Sequence, residues 1–141
     1  MSESNKALVE RFVNEFWSAG RLAAADELMA ADVVIHAPEV GGIEGLKQFN
    51  TAVRTAFPDW HATVEELLAE DDRVVERWTG HGTQLGEFQG IPATGRTVAV
   101  PGVVFYRVRD GRITEFRGSF DVFSMLGQLG ALPEPEAQPV Q

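Results

Sequence analysis

Thr97-Val-Ala-Val-Pro-Gly-Val-Val-Phe-Tyr-Arg-Val-Arg-Asp110-Gly111-Arg-Ile-Thr-Glu-Phe-Arg-Gly-Ser-Phe-Asp121 is the stretch that decides the fold class of this chain of 141 residues. Residues 97–108 and 112–121 are dense in β-branched and aromatic side chains. Between them stands Asp110-Gly111, a pair favoured by two-residue type I′ hairpins because both positions tolerate positive φ. The same period continues upstream. Residues 60–68 and 73–84 are two more strand candidates, parted by Asp71-Asp72, and the stretch 86–96, with Pro92 and Gly95, parts the second candidate from the third. Four such segments in succession predict a meander of long antiparallel strands.

Before Trp60 the period is helical. Leu8, Val9, Phe12, Val13, Phe16 and Trp17 form one broad apolar stripe over residues 5–19, and Gly20 stands where a helix would stop. An Ala-rich helix over residues 22–30 turns Leu22, Ala25, Leu28 and Met29 inward. Val33-Val34-Ile35-His36, closed by Pro38, reads as a short strand. A third helix over residues 44–57 carries Leu46, Phe49, Val53 and Phe57 on one face and ends before Pro58. After Asp121, the residues Val122, Met125, Leu126 and Leu129 predict a last helix stopped at Gly130. Helices followed by a meander give an α+β fold, in which one curved mixed or antiparallel sheet with helices over its concave side encloses an apolar pocket. Residues 1–132 are expected to form a single domain. The polar, Pro-rich tail 133–141 is expected to be disordered.

Composition narrows the function. A domain of this length buries roughly 68–70% of the surface its unfolded chain exposes, enough for a core with a cavity. Twelve basic against twenty-one acidic side chains leave a net charge of −9. That excludes nucleic acid and anionic membrane as expected partners, since both select basic faces. The N-terminal residues Met1-Ser2-Glu3-Ser4-Asn5-Lys6 carry no signal-peptide pattern, and no window approaches eighteen apolar residues, so a cytoplasmic location is expected. With no Cys in the chain and with His36, His61 and His81 far apart, no metal-ligand spacing appears. There is no Gly-x-Ser-x-Gly elbow, and Gly80-His-Gly-Thr-Gln-Leu-Gly86 lacks the spacing of a dinucleotide loop.

Asp121, flanked by Phe120 and by Val122-Phe123, is the candidate catalytic residue. Facing a pocket, it would be desolvated and usable as a general acid/base; preceding an apolar helix, it is also a preferred N-cap. The two roles are compatible. On the strand at 73–84, Arg77, Thr79 and His81 share one face and Glu76, Trp78 and Gly80 the other. His81, and in one reading Arg77, would project into the pocket; the other reading of Arg77 pairs it with an acid such as Glu115 on a solvated face. His36 at a strand end and His61 at a turn read as rim residues. Trp17, Phe49, Trp60, Trp78, Phe105 and Tyr106 are candidate pocket walls, with plain core packing as the alternative for each.

Laid out this way, residues 5–132 resemble the SnoaL-like polyketide cyclase or ester cyclase branch of the nuclear transport factor two-like superfamily. The resemblance rests on Phe57-Pro-Asp-Trp-His61, Asp72-Arg-Val-Val-Glu-Arg-Trp78, Gly82-Thr-Gln-Leu-Gly86-Glu-Phe-Gln-Gly90-Ile-Pro92-Ala-Thr94-Gly95-Arg96, Arg107-Val-Arg-Asp110-Gly111-Arg-Ile113, Asp121 and Gln128-Leu129-Gly130. It implies a cone-shaped α+β barrel with a six-stranded curved sheet, a homodimer packed sheet to sheet, and no metal or organic cofactor. Asp121 matches the aspartate that serves as acid/base for intramolecular aldol closure. His36, Trp60, Arg77, Trp78, His81, Gln84, Phe105 and Tyr106 are the expected substrate-binding residues for a hydrophobic small molecule. Three departures stand out. Gln84 replaces the His of a Gly-Thr-His motif, Val104 replaces a second His, and Thr79 replaces the carboxylate that an epoxide hydrolase of this superfamily would need. Phe12 and Ala37 likewise stand where a ketosteroid isomerase would carry Tyr and Asp.

Three readings follow: a cyclase or lyase using Asp121, a non-catalytic small-molecule-binding dimer, and an epoxide-hydrolase-like enzyme in which Asp121 activates water. The first requires Asp121 inside a closed pocket with a polar partner. The third requires a second carboxylate within one water of it.

Overall fold

The computed structural model describes residues 2–37 and 40–132. Helix α1 spans Ser2–Phe12 and runs into a π-helical turn, Val13–Ser18. Then come α2 (Ala23–Leu28), β1 (Met29–His36), α3 (Gly42–Ala56), β2 (His61–Glu70), β3 (Arg73–Thr83), β4 (Thr97–Arg109), β5 (Arg112–Phe120) and α4 (Val122–Leu129). Every element expected from the sequence is present and in order. The second helix is shorter than its apolar pattern because Met29 and Ala30 already belong to β1. The 133–141 tail and Pro38 lie outside the described residues. No helix is long and apolar enough to cross a membrane among the described residues.

The sheet has the order β1-β5-β4-β3-β2, with β1 parallel to β5 and every other pairing antiparallel. It is mixed and not closed, and the described residues contribute five strands where the resemblance implied six. The β4–β5 turn has φ of 52° at Asp110 and 73° at Gly111, the positive pair that a type I′ hairpin demands. One face of the sheet is core. Strands β3 and β4 alternate strictly, and Val74, Glu76, Gly80 and Gly82 on β3, with Val98, Val100, Gly102, Val104, Tyr106 and Val108 on β4, are all buried. Two clusters fill that side: one beneath α1, the π turn and α2 around Phe12, Phe16 and Ile113, the other beneath α3 and α4 around Phe57, Trp60 and Met125.

Two local devices shape the space between them. The first is glycine on the inner face. A Cβ at Gly102 would overlap the Trp78 indole, and one at Gly80 the rings of Trp60 and Trp78, so both indoles lie against bare backbone. The second is the end of β5, which stops before β4 does. Asp121 N–H donates to Pro101 O, and beyond it the Gln128 side chain both accepts from Ala99 N–H (2.7 Å) and donates to Ala99 O (2.9 Å). An amide thus stands in for the missing strand and fastens α4 to the sheet.

Candidate functional site

The register lays the inner face out in rows. Leu67, Glu76, Val104 and Gly118 face one another across β2, β3, β4 and β5; on one side runs the row Val64, Trp78, Gly102, Phe120, and on the other Ala69, Val74, Tyr106, Phe116. Beyond Glu76 the middle row carries Val104 and Gly118 on β4 and β5, while its neighbours carry rings at Trp78 and Phe120 on one side and at Tyr106 and Phe116 on the other. A trough results. It opens into a cavity of about 780 Å3 lined by Trp17 from the π turn, Leu46, Phe49 and Val53 from α3, Trp60, Glu76, Trp78, Phe88, Val104, Phe116, Phe120 and Met125. That volume suits a drug-sized apolar ligand. Lining residues that are exposed, Gln48 and Ala52 on α3, Glu87 and Gln89 in the β3–β4 loop and Val122 at the start of α4, mark its mouth.

The π turn bears on this wall. Its wider winding, with Ala19 N–H bonded to Asn14 O, is the kind of irregularity that often accompanies functional sites. Buried Asn50 of α3 donates to Phe16 O at 2.8 Å, tying the turn to the helix opposite. Trp17 packs edge-on against Phe49, and Phe49 against Phe120, so one aromatic wall is continuous across three elements.

Glu76 is the polar group at the bottom of the trough. It is only 2% exposed, and its Oε1 accepts a hydrogen bond from Tyr106 Oη at 2.7 Å. Burial pushes the carboxyl up to about 7, against the opposing pull of that hydrogen bond. The Tyr106 hydroxyl is driven well above its usual range by burial and by the adjacent carboxylate. Phe12 and Phe116 meet the Tyr106 ring edge to face, which holds the hydroxyl on Glu76.

The expected site residues divide. Trp60 and Trp78 line the cavity, as do the wall candidates Trp17 and Phe49. Tyr106 sits behind the cavity surface, against Glu76. Arg77 and His81 belong to the opposite face. Parity puts Val74 and Trp78 in the core, so Arg77 is exposed and pairs at 3.4 Å with Glu66, not with Glu115, and His81 stacks on His61 with ring centroids 4.9 Å apart. Phe105 shares that outer face and is 52% exposed. His36 is half-buried there, bonded to Glu115 at 2.7 Å. This bond, ahead of the nearby arginines, draws the Glu115 carboxyl below its ordinary range. Gln84 is fully buried outside the cavity lining, where it donates to Ile91 O and accepts from the Thr94 N–H and hydroxyl; its work is to fold the β3–β4 loop.

Asp121 does not line the cavity. Its carboxylate is exposed, and Oδ1 accepts from Ser124 N–H at 2.9 Å as the N-cap of α4, although Phe120 and Val122 on either side of it both line the cavity. Of its two sequence readings, the cap describes the geometry. Glu76 was the residue missed, and its signal was present: an acid in phase with Val74 and Trp78 on an alternating strand. Val104, where the resemblance expects a histidine, is its direct partner across the ladder. Among the described residues, no cluster of three or more His, Asp or Glu side chains is placed to hold a metal ion.

Comparison with known proteins agrees with this architecture. A family model described as SnoaL-like polyketide cyclase matches residues 7–129. The aklanonic acid methyl ester cyclase DnrD of Streptomyces peucetius is 32% identical over 104 residues, covering 72% of this chain and 71% of that protein. The cyclase of the same description, DauD, from Streptomyces sp. (strain C5) is also 32% identical, and the match covers 72% of this chain and 64% of DauD. Among solved structures, TsrD from Streptomyces laurentii superposes with a TM-score of 0.84 at 29% identity, over 92% of this chain and 97% of that one.

Proposed function

Because the chain belongs to the SnoaL-like polyketide cyclase family, we propose that it closes a ring in a polyketide-like or other hydrophobic carbonyl substrate by intramolecular aldol-type addition, needing no organic cofactor or metal. The observation that supports this reading is the cavity of about 780 Å3, walled by aromatic side chains and holding one buried carboxyl group. Ring closure within one molecule asks for a folded pose and a proton carrier rather than for covalent chemistry, and an enclosed apolar mould supplies the pose. Aklanonic acid methyl ester, for which the curated relatives are named, is a compound of the proposed class. Its incubation with the protein tests the reading. An isomeric product of unchanged mass is the expected result. Binding without a new product would favour a non-catalytic small-molecule carrier, and the hydrolase reading would need a separate incubation with an epoxide, giving a diol heavier by one water.

The family position of Asp121 assigns it the acid/base role, and its neighbours Phe120 and Val122 at the cavity wall favour keeping that assignment as a second reading. A rotation of the α4 N-terminus would be needed to bring its carboxylate inside. A homodimer packed sheet to sheet fits the same proposal, since Leu68, Phe105 and Val34 stand exposed on the sheet face away from the cavity. The absence of Cys accords with work in the cytoplasm.

A further inference from the structure

We infer that Glu76 is a catalytic acid/base of the cavity and that Tyr106 is the residue that positions its carboxyl. The inference rests on the proposed carbonyl chemistry and names the group that moves the proton. Three observations carry it. Glu76 lies in one row with Val104 and Gly118, between the rings of Trp78 and Phe120 on one side and of Tyr106 and Phe116 on the other, so a planar substrate seated in the trough would lie over its carboxyl. Oε1 is committed to the Tyr106 hydroxyl, while Oε2 takes no hydrogen bond from a described residue and is left for the ligand. Among the described residues lining the cavity, the other titratable side chain is Glu87, which is exposed at the mouth; the elements packed around Glu76 face it with Leu67, Val104, Trp78, Phe116 and Tyr106 and with no charge. A purely structural carboxyl in such a place has little to recommend it, because an apolar side chain of similar volume would avoid the desolvation cost. Desolvation also brings the carboxyl to about 7, where one group can both take and return a proton.

The step balances without a co-reactant. The Glu76 carboxylate removes a proton from the carbon beside a substrate carbonyl, giving a carboxylic acid and an enolate. The enolate carbon forms a bond to a second carbonyl carbon of the same molecule, whose C=O π bond becomes an alkoxide. The Glu76 carboxylic acid returns the proton to that alkoxide. The product is an isomer and Glu76 is a carboxylate again.

Exchange of carbon-bound hydrogen in D2O isolates the first half of this step and does not depend on the natural substrate. The probe is 2-tetralone, a small planar ketone, with loss of the signal from the protons beside its carbonyl followed by NMR and its binding followed by tryptophan fluorescence. Wild-type protein is expected to accelerate exchange, and Glu76→Gln to lower that acceleration at least about 100-fold. Glu66→Gln, which alters an exposed carboxyl paired with Arg77 on the opposite face of the sheet, is expected to leave it unchanged. Tyr106→Phe removes a hydrogen bond that favours the charged carboxylate, so the midpoint of its pH–rate profile should move upward from about 7; a merely structural tyrosine would change stability and leave the midpoint in place. Wild type supplies its own measurement should a variant fail to fold: its exchange rate must rise with pH through a midpoint near 7. Exchange lost in Asp121→Asn and kept in Glu76→Gln overturns the inference in favour of Asp121. Binding of tetralone without accelerated exchange overturns it as well, while leaving the cyclase reading to be judged on product formation. Failure of tetralone to bind overturns the trough over Glu76 as a seat for a planar ketone, and leaves the cyclase reading to the product test with the methyl ester.

Discussion

Replacing Glu76 by Gln should stabilise the protein at alkaline pH and do nothing at acid pH. Gln keeps an oxygen that can accept from the Tyr106 hydroxyl and keeps the volume, but it cannot ionise. In the wild type the carboxyl loses its proton at about 7 in the folded state, against an ordinary value of 4.5. Below the ordinary value both states are protonated and Glu76 costs nothing. Between the two values the native state holds a proton that the unfolded chain has released, so stability falls as pH rises, by about 1.36 kcal/mol per pH unit. Above the folded value the loss is complete, at about 3 kcal/mol. Glu76→Gln is spared that loss. Urea unfolding followed by tryptophan fluorescence at about pH 5 and about pH 8.5 reads it directly: near-coincident midpoints at the lower pH, and a variant midpoint higher by about 1–3 M at the upper, for an m-value typical of a small domain. Midpoints that run parallel across the whole range would mean that Glu76 does not change its ionisation there, and the desolvation argument would be wrong.

Gly102→Ala places a methyl group inside the Trp78 indole and should cost about 1–3 kcal/mol in chemical denaturation while weakening ligand binding, because the displaced indole yields into the cavity it lines. Asp121→Ala should cost about 1 kcal/mol through loss of the α4 cap, and Asp121→Asn much less, since Asn caps nearly as well; equal losses for the two would show that the charge rather than the cap matters. Gln84→Ala should cost about 1–3 kcal/mol by thermal or urea melting, because it empties a fully buried side-chain site and removes three hydrogen bonds that hold the β3–β4 loop to Ile91 and Thr94.

The α+β layout was legible because each element announces itself by period: the stripe on α1, the stop at Pro58, and the Asp110-Gly111 pair that takes up positive φ. The parallel strand β1 was harder to bound. Met29 and Ala30 suit either a helix end or a strand start, and only pairing with β5 decides between them. The site was read less well, for one physical reason. Alternation along β3 separates two faces but does not say which one meets the pocket, and cavity and core here are the same face of the sheet. The inward readings of Arg77 and His81 therefore fail, the solvated-face reading of Arg77 holds with Glu66 as its partner, and Glu76, on the face of Trp78, carries the carboxyl that the cavity meets. Phe105 failed for the converse reason, since a large aromatic on the outer face carries no local mark of its exposure. Asp121 reads as both a cap and an acid in one dimension, and three dimensions are needed to see where its oxygens point.

The parallel pairing of β1 with β5 has a consequence for how the chain assembles. Strands β2–β3 and β4–β5 are joined by tight turns and β3–β4 by the loop 84–96, so every antiparallel pairing of the meander is between strands adjacent in sequence. The pairing at the β1 edge is not. Its His36 meets Glu115 across 79 positions of chain, and closing so long a loop is slow relative to forming a turn. Until β1 docks, α2 and α3, which it joins, are not held over the sheet, and the aromatic trough faces water. Contact order therefore predicts that the cavity closes late, when this long-range edge docks. A ligand that fits the trough should bind only after that event, and by mass action should hold the late-closing edge in place.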